Sequence, residues 1–168
     1  MQAFAELTWR VPLNISIGHT DADYTTASYA FESGANHVTH LCNAMPPFHH
    51  RDTGVFGAAA DKLNVYVELI CDGIHIHPSM IRAIFRLFGS DRVCLISDSM
   101  EATGMEDGEY ELGGQKVIKQ GHLATLKDGT LAGSASNLFD CMKNAKDFGI
   151  PLEDAIKSAT ATPAKSIG

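Results

Sequence analysis

Arg92-Val93-Cys94-Leu95-Ile96-Ser97-Asp98 is the stretch that decides how this chain folds. Four apolar residues between polar ones form the short continuous run typical of a strand covered on both faces of a parallel sheet. A carboxylate stands directly at its C-terminal end. The same arrangement recurs on working back along the chain. Val65-Tyr66-Val67-Glu68-Leu69-Ile70 leads into Asp72-Gly73-Ile74-His75, Asn36-His37-Val38-Thr39 into His40, and Asn14-Ile15-Ser16-Ile17-Gly18 into His19. Polar groups delivered one per strand to the same end of a parallel sheet converge on one place. Imidazoles and carboxylates gathered there are what a divalent metal and its water require.

Helical segments separate these runs. Ala22 to Ser33 is alanine-rich with Gly34 as a stop, and Pro78 to Phe88 carries an apolar stripe of Ile81, Ile84, Phe85 and Phe88 closed by Gly89. Cys42 to Gly57 reads as a loop, because Pro46-Pro47 excludes a continued helix or central strand there. Glu109 to Asp128 reads as short β-segments separated by Gly113-Gly114, Gln120-Gly121 and Asp128-Gly129. Helices resume at Ser136 to Phe148 and from Pro151 to about Thr160. Four strand–helix units with a small β-hairpin insertion make an α/β chain matching half of a (β/α)8 TIM barrel. A small open doubly wound sheet also accommodates four strands. The expectation is one partial-barrel domain over residues 1–168, whose exposed strand edges favour a symmetric homodimer.

Composition narrows the function classes. With 168 residues, 45% apolar and 20% charged, the chain is an ordinary globular one. Its net charge of -7 argues against nucleic acid or an anionic membrane as partner. No apolar run approaches the roughly 20 residues needed to span a bilayer, and Met1-Gln2-Ala3-Phe4-Ala5-Glu6 lacks a signal-peptide pattern. Cys42, Cys71, Cys94 and Cys141 show no paired metal-ligand spacing, so reduced, mostly buried thiols and a cytoplasmic location are expected.

Each candidate residue has a plain structural reading beside the chemical one. His19 and His40 could merely cap strands through backbone hydrogen bonds. Two at equivalent positions with Asp98 at a third favour ligands, and neutral imidazole suits Zn²⁺, with Fe²⁺ accepting the same set. Asp98 could be a helix N-cap, or beside a metal it could accept a proton from water and return it to a leaving group. His75 could orient a substrate hydroxyl or carbonyl, whereas His77, next to Pro78, suits a helix cap. Asn43-Ala44-Met45 and Arg51 lie on a long loop, and Arg suits bidentate phosphate binding. His49 and His50 read as solvated loop residues. Leu131-Ala132-Gly133-Ser134 precedes a helix, so its amides could bind a polar substrate group or simply form a tight loop.

Gly18-His19-Thr20, Thr39-His40-Leu41-Cys42-Asn43-Ala44-Met45, His50-Arg51-Asp52-Thr53-Gly54, Asp72-Gly73-Ile74-His75, Ser97-Asp98 and Gly129-Thr130-Leu131-Ala132-Gly133-Ser134 occur in one order. Together they resemble the N-acetylglucosamine-6-phosphate deacetylase family of amidohydrolases, from about Leu13 to the chain end. The resemblance implies strands five to eight of a distorted TIM barrel. It implies His19 and His40 as metal ligands and Asp98 as catalytic acid/base. Asn43 and Ala44 would contact the sugar phosphate, and Arg51 would pair with its phosphate, in this family sometimes across a dimer interface. His75, within Asp72, Gly73 and Ile74, would bind the sugar, and Leu131, Ala132 and Gly133 would line the acetamido end. The implied reaction is metal-dependent hydrolysis of N-acetyl-D-glucosamine 6-phosphate to glucosamine 6-phosphate and acetate.

The family's N-terminal half, with a glutamate ligand and a carbonyl-contacting histidine, has no counterpart in these residues, nor has its β-sandwich. The chain alone is therefore expected to be weakly active or inactive. Two other readings fit the residues: another amidohydrolase (an N-acyl-amino-acid deacylase or dihydroorotase-like protein), or a non-catalytic sugar-phosphate-binding module.

Overall fold

Four strands, β1 (Ser16–Ile17), β2 (His37–Val38), β3 (Tyr66–Ile70) and β4 (Val93–Ile96), pair in parallel in the order β1-β2-β3-β4. These assignments come from a computed structural model that describes residues 13–168; the reading of Met1 to Glu6 lies outside them. Each strand pairs with its successor in sequence, without the reversal of strand order that defines a doubly wound sheet. The architecture is that of a barrel sector.

The helices follow the strands. They are α1 (Tyr24–Glu32), α2 (Gly54–Asp61), α3 (Pro78–Phe88), α4 (Leu138–Asp147), α5 (Leu152–Ala159) and α6 (Ala161–Ser166). One apolar cluster joins Val38, Val67, Leu69, Val93 and Leu95 of the strands to Phe31, Phe56, Ile81, Ile84, Phe85, Cys141 and Ala155 of the helices. Strand residues alternate faces, so Glu68 and Cys94, paired in register, point away from this cluster.

α3 forms where the sequence places it, with Pro78 at its start, Gly89 at its end with φ 71°, and Ile81, Ile84, Phe85 and Phe88 buried. His77 is its N-cap and accepts the amide of Ser79 on its side chain, the capping role expected of it. α2 departs from expectation, since its first four residues, Gly54 to Gly57, lie in what reads as a loop. It has no amphipathic period to read: Gly54, Val55, Phe56, Gly57, Ala58 and Ala59 are all buried, and Thr53 gives no side-chain cap. Packing rather than propensity holds it. β2 also ends earlier than expected, at Val38 rather than His40. Hydrogen bonds from Thr39 N to Ile17 O (2.8 Å) and Leu41 N to Glu68 O (2.9 Å) carry the alignment onward past the pairing.

The expected hairpin is a three-stranded antiparallel meander, β5 (Gly108–Leu112), β6 (Gln115–Gln120) and β7 (Leu123–Leu126). Gly113 and Gly114, at φ 57° and 82°, make the two-residue turn. Met100, Ala102, Val117, Ala124 and Ala135 form its separate small core.

Leu69 is fully buried between sheet and helices, and Leu63 is 84% exposed. Leu69→Ala is expected to lower the unfolding free energy in urea by about 2–5 kcal/mol. Leu63→Ala should change it by no more than about 0.5 kcal/mol.

Candidate active site

The residues that follow the strands have an unusual backbone. Among the described residues, five other than glycine have positive φ: His19 (45°), His40 (31°), Cys42 (77°), Ala44 (50°) and Asp98 (50°). Such conformations are costly for side chains with a Cβ and gather at functional sites. Four of the five, all but Cys42, line one cleft of about 770 Å³ with Asn43, His75, Leu131, Ala132 and Gly133. The cleft therefore brings together nine sequence-predicted positions, delivered by the ends of β1, β2 and β4, the loop after β3 and the segment after β7.

The rings of His19 and His40 meet edge to face, with centroids 4.6 Å apart and planes at 74°. His40 is buried, and its Nδ1 has no hydrogen-bond partner among the described residues. A buried nitrogen without a partner is costly, and together with a neighbouring imidazole it fits two ligand positions of a divalent metal. Among the described residues, no group of three or more His, Cys, Asp or Glu side chains converges to hold an ion. The two imidazoles are the candidate ligands.

Asp98 is held in place by the chain that returns from the meander. Its carbonyl accepts the Ser134 amide (2.9 Å), Ser134 O accepts the Met100 amide (2.9 Å), and Ser99 and Ser134 form a parallel bridge. Upstream, Ala132 N donates to Ala124 O (3.0 Å), which extends the meander to the same segment. Asp98 caps no helix. The Leu131–Gly133 wall and the Asp98 loop are thus built as one piece.

The stretch after β3 divides. Only His75 of this stretch reaches the cleft. The Asp72 side chain is 1% exposed and fully engaged: Oδ1 accepts the amides of Ile74 and His75 (both 2.9 Å), and Oδ2 accepts His75 Nδ1 (2.6 Å). Gly73, at φ 77°, lies where a Cβ would come within 2.7 Å of the Phe148 ring. Asp72, Gly73 and Ile74 therefore shape the turn instead of lining the cleft. Asn43 turns its side-chain NH₂ back to the carbonyls of His40 and Leu41 (3.4 and 3.5 Å), which leaves its amide oxygen available. Arg51 is not among the cleft residues; it is exposed, and its Nη1 lies 2.7 Å from His50 Nε2.

Sequence reasoning missed several residues of this region. Ser99, Met100, Leu112, Gly113, Gln115 and Thr130 line the cleft, most of them brought there by a meander whose docking has no local sequence signal. Glu68 did carry a signal, a lone carboxylate in an apolar strand run. Burial raises its pKa, partly opposed by the backbone amide and charge of His40. The cysteines behave as expected of buried thiols. Burial pushes Cys42, Cys94 and Cys141 up to about 11 and Cys71 higher still.

Comparison with known proteins places this geometry. The model of the amidohydrolase family matches residues 3–168, and the chain belongs to that family, whose members generally depend on a divalent metal. It is similar to the N-acetylglucosamine-6-phosphate deacetylase of Bacillus subtilis (strain 168), 45% identical over 154 residues, and to that of Vibrio furnissii, 43% identical over 158. These alignments cover 91% and 93% of this chain and 39% of each relative. An N-acetylgalactosamine-6-phosphate deacetylase from Shewanella sp. (strain ANA-3) is 35% identical over 154 residues, covering 91% of this chain and 39% of that protein. The crystal structure of N-acetyl-D-glucosamine-6-phosphate deacetylase from Mycobacterium smegmatis superposes with a TM-score of 0.93 at 34% identity, covering 99% of this chain and 46% of that one. The chain spans about two fifths of the length of these curated relatives, and its fold is a partial barrel of the amidohydrolase type.

Gly18, just before His19, has no room for a side chain, since a Cβ there would sit 2.7 Å from Thr39 Cβ. Gly18→Ala should push the ends of β1 and β2 apart, with a loss of about 1–3 kcal/mol in thermal unfolding. The His19 ring resonances should shift with it.

Proposed function

We propose that these residues form the acid/base and two-histidine portion of an enzyme that hydrolyses N-acetyl-D-glucosamine 6-phosphate to glucosamine 6-phosphate and acetate. The observation that carries this reading is the convergence of His19, His40 and Asp98, each in a left-handed backbone, on one cleft. The Bacillus subtilis and Vibrio furnissii glucosamine-type relatives, at 45% and 43% identity, stand above the Shewanella galactosamine-type one at 35%, which supports the sugar. We read residues 1–168 as one partial-barrel domain, working in the cytoplasm, where its free cysteines stay reduced.

In this reading His19 and His40 hold a divalent cation, Zn²⁺ in preference to Fe²⁺, which supplies Lewis-acid polarisation when bound. Asp98 takes a proton from the attacking water as oxygen adds to the acetamido carbonyl carbon. It then gives that proton to the nitrogen as the C–N bond breaks. His75 and the Leu131–Gly133 wall orient the sugar and its acetamido group, and Asn43 and Ala44 meet the phosphate end. Arg51, exposed and outside this cleft, serves the phosphate of a neighbouring copy in a symmetric dimer. With two ligand side chains among the described residues, the 168-residue chain by itself binds metal weakly and turns over slowly.

Acetate release by the purified chain with added Zn²⁺ tests this directly. Slow turnover is expected, lowered about 10²–10⁴-fold by Asp98→Asn, together with weaker Zn²⁺ binding in His40→Ala. Turnover indifferent to Asp98→Asn, or equal rates on the phosphorylated and plain sugar, would sink the reading.

A further inference from the structure

His75 makes two side-chain contacts that together decide its charge. Its Nδ1 lies 2.6 Å from Asp72 Oδ2, and its Nε2 lies 3.0 Å from the carbonyl oxygen of Ala132, 57 residues away in sequence. A backbone carbonyl only accepts hydrogen bonds. Asp72 Oδ1 already accepts two backbone amides, which favours the ionised carboxylate, so its oxygens only accept as well. A neutral imidazole has one N–H and can serve one such partner. Serving both requires the doubly protonated ring.

We propose that Asp72 is a positioning residue that holds His75 as an imidazolium whose second N–H ties the Leu131–Gly133 wall to the loop after β3. The inference rests on the proposed function for its relevance to substrate, but its geometry stands apart from it. The bridge joins the two walls of the cleft that reach it from different units, the β3 loop and the segment returning from the meander. Ala132 has its own amide on Ala124 O, so the bridge also couples His75 to β7. Burial makes the link count: the side chains of His75 and Asp72 are 9% and 1% exposed, so water competes little for either bond.

The carboxylates around the ring agree with this state. Asp72, from its own loop, and Asp98, from the end of β4, both favour the cation. Across the same cleft stand His19 and His40. The hydrogen bond to Asp72 raises the His75 pKa above 6.5, against the opposing effect of burial, with the Ala132 carbonyl and the charges of Asp72 and Asp98 adding to the rise. Burial alone would raise Asp72, but the His75 ring and the amides of His75 and Ile74 outweigh it and hold that carboxyl below its usual range. The sign follows from the raised histidine. The bridge is complete below about pH 6.5, and its contribution is lost as the pH rises through the higher folded value. The proton released is the one on Nε2, because Nδ1–H remains on the carboxylate. A ligand acceptor entering the cleft would compete with Ala132 O for that same Nε2–H.

The test is nuclear magnetic resonance of the His75 ring nitrogens in the whole 168-residue chain. At pH 6 both nitrogens should carry protons, and the ring should titrate above 6.5. The carbonyl carbon of Ala132 should move with the same midpoint. Asp72→Asn should lower that midpoint by roughly one pH unit or more and uncouple the Ala132 carbonyl from it. An unprotonated Nε2 at pH 6, or an Ala132 carbonyl that ignores the ring titration, overturns the proposal; both are read on the unmodified chain, so poor folding of Asp72→Asn does not shelter it. These signals do not depend on catalysis. A protonated, bridged His75 in a chain whose turnover ignores Asp98→Asn would reject the deacetylase reading and leave the bridge standing.

Discussion

A single row of backbone pairing sets the position of everything above it. Ile17 pairs with Val38, Val38 with Val67 and Val67 with Val93, so one level runs across all four strands. His19 and His40 each stand two residues beyond that row, which explains why their rings meet. Asp98 stands five beyond it. Strands in a barrel tilt and stagger, so later strands run further before they reach the same height. Because side chains alternate faces along a strand, a one-residue slip of β2 against β1 would put Val38 on the wrong face and carry His40 off its level with His19. The apolar packing of Val38, Val67 and Val93 against the helices opposes such a slip, and in that sense the core holds the two imidazoles together.

The face opposite the helices has a different chemistry. In register across β1, β2 and β3 lie Ser16, His37 and Tyr66, and His37 stacks on Tyr66 with centroids 5.5 Å apart. Glu68 and Cys94 continue it toward the cleft. Burial lowers the His37 pKa and raises that of Glu68, so both are pushed toward their neutral forms. A sheet with an apolar helix-side face and this second, partly buried polar face matches the inside of a barrel better than a solvent-facing surface.

How much of this was legible depended on whether local physics or distant packing decided each part. Pro78 to Phe88 reads correctly because the helix has a start, a stripe and a stop within twelve residues. The ends of β3 and β4 lie within one residue of where they read, because a polar residue after an apolar run is a local event, whereas β2 stops two residues before His40. α2 did not, because Gly54 to Ala59 is apolar all round and shows no period. α6 did not either, since Pro163 lies inside it and argues against a helix. Within the cleft, the presence of His75 was legible. The engagement of Asp72 was not, since nothing in Asp72-Gly73-Ile74-His75 tells that the carboxylate folds back on its own turn.

The loop after β2 shows how one segment can serve two places. Its first part is fastened to the cleft: Ala44 O accepts the Thr20 amide (3.1 Å), and the Asn43 amide donates to His40 O (2.9 Å). Its second part is fastened to α2, where Phe48 stacks on Phe56 with centroids 4.3 Å apart. Pro46 and Pro47 lie between these anchors, and their fixed φ stiffens the span. The anchors leave Arg51 facing solvent, with His50 as its partner, which requires His50 Nε2 to be the unprotonated nitrogen because a guanidinium only donates. A rigid loop with both ends tied can present an arginine outward at a defined place. That is what a residue needs if its anionic target lies on another molecule instead of in the cleft beside it.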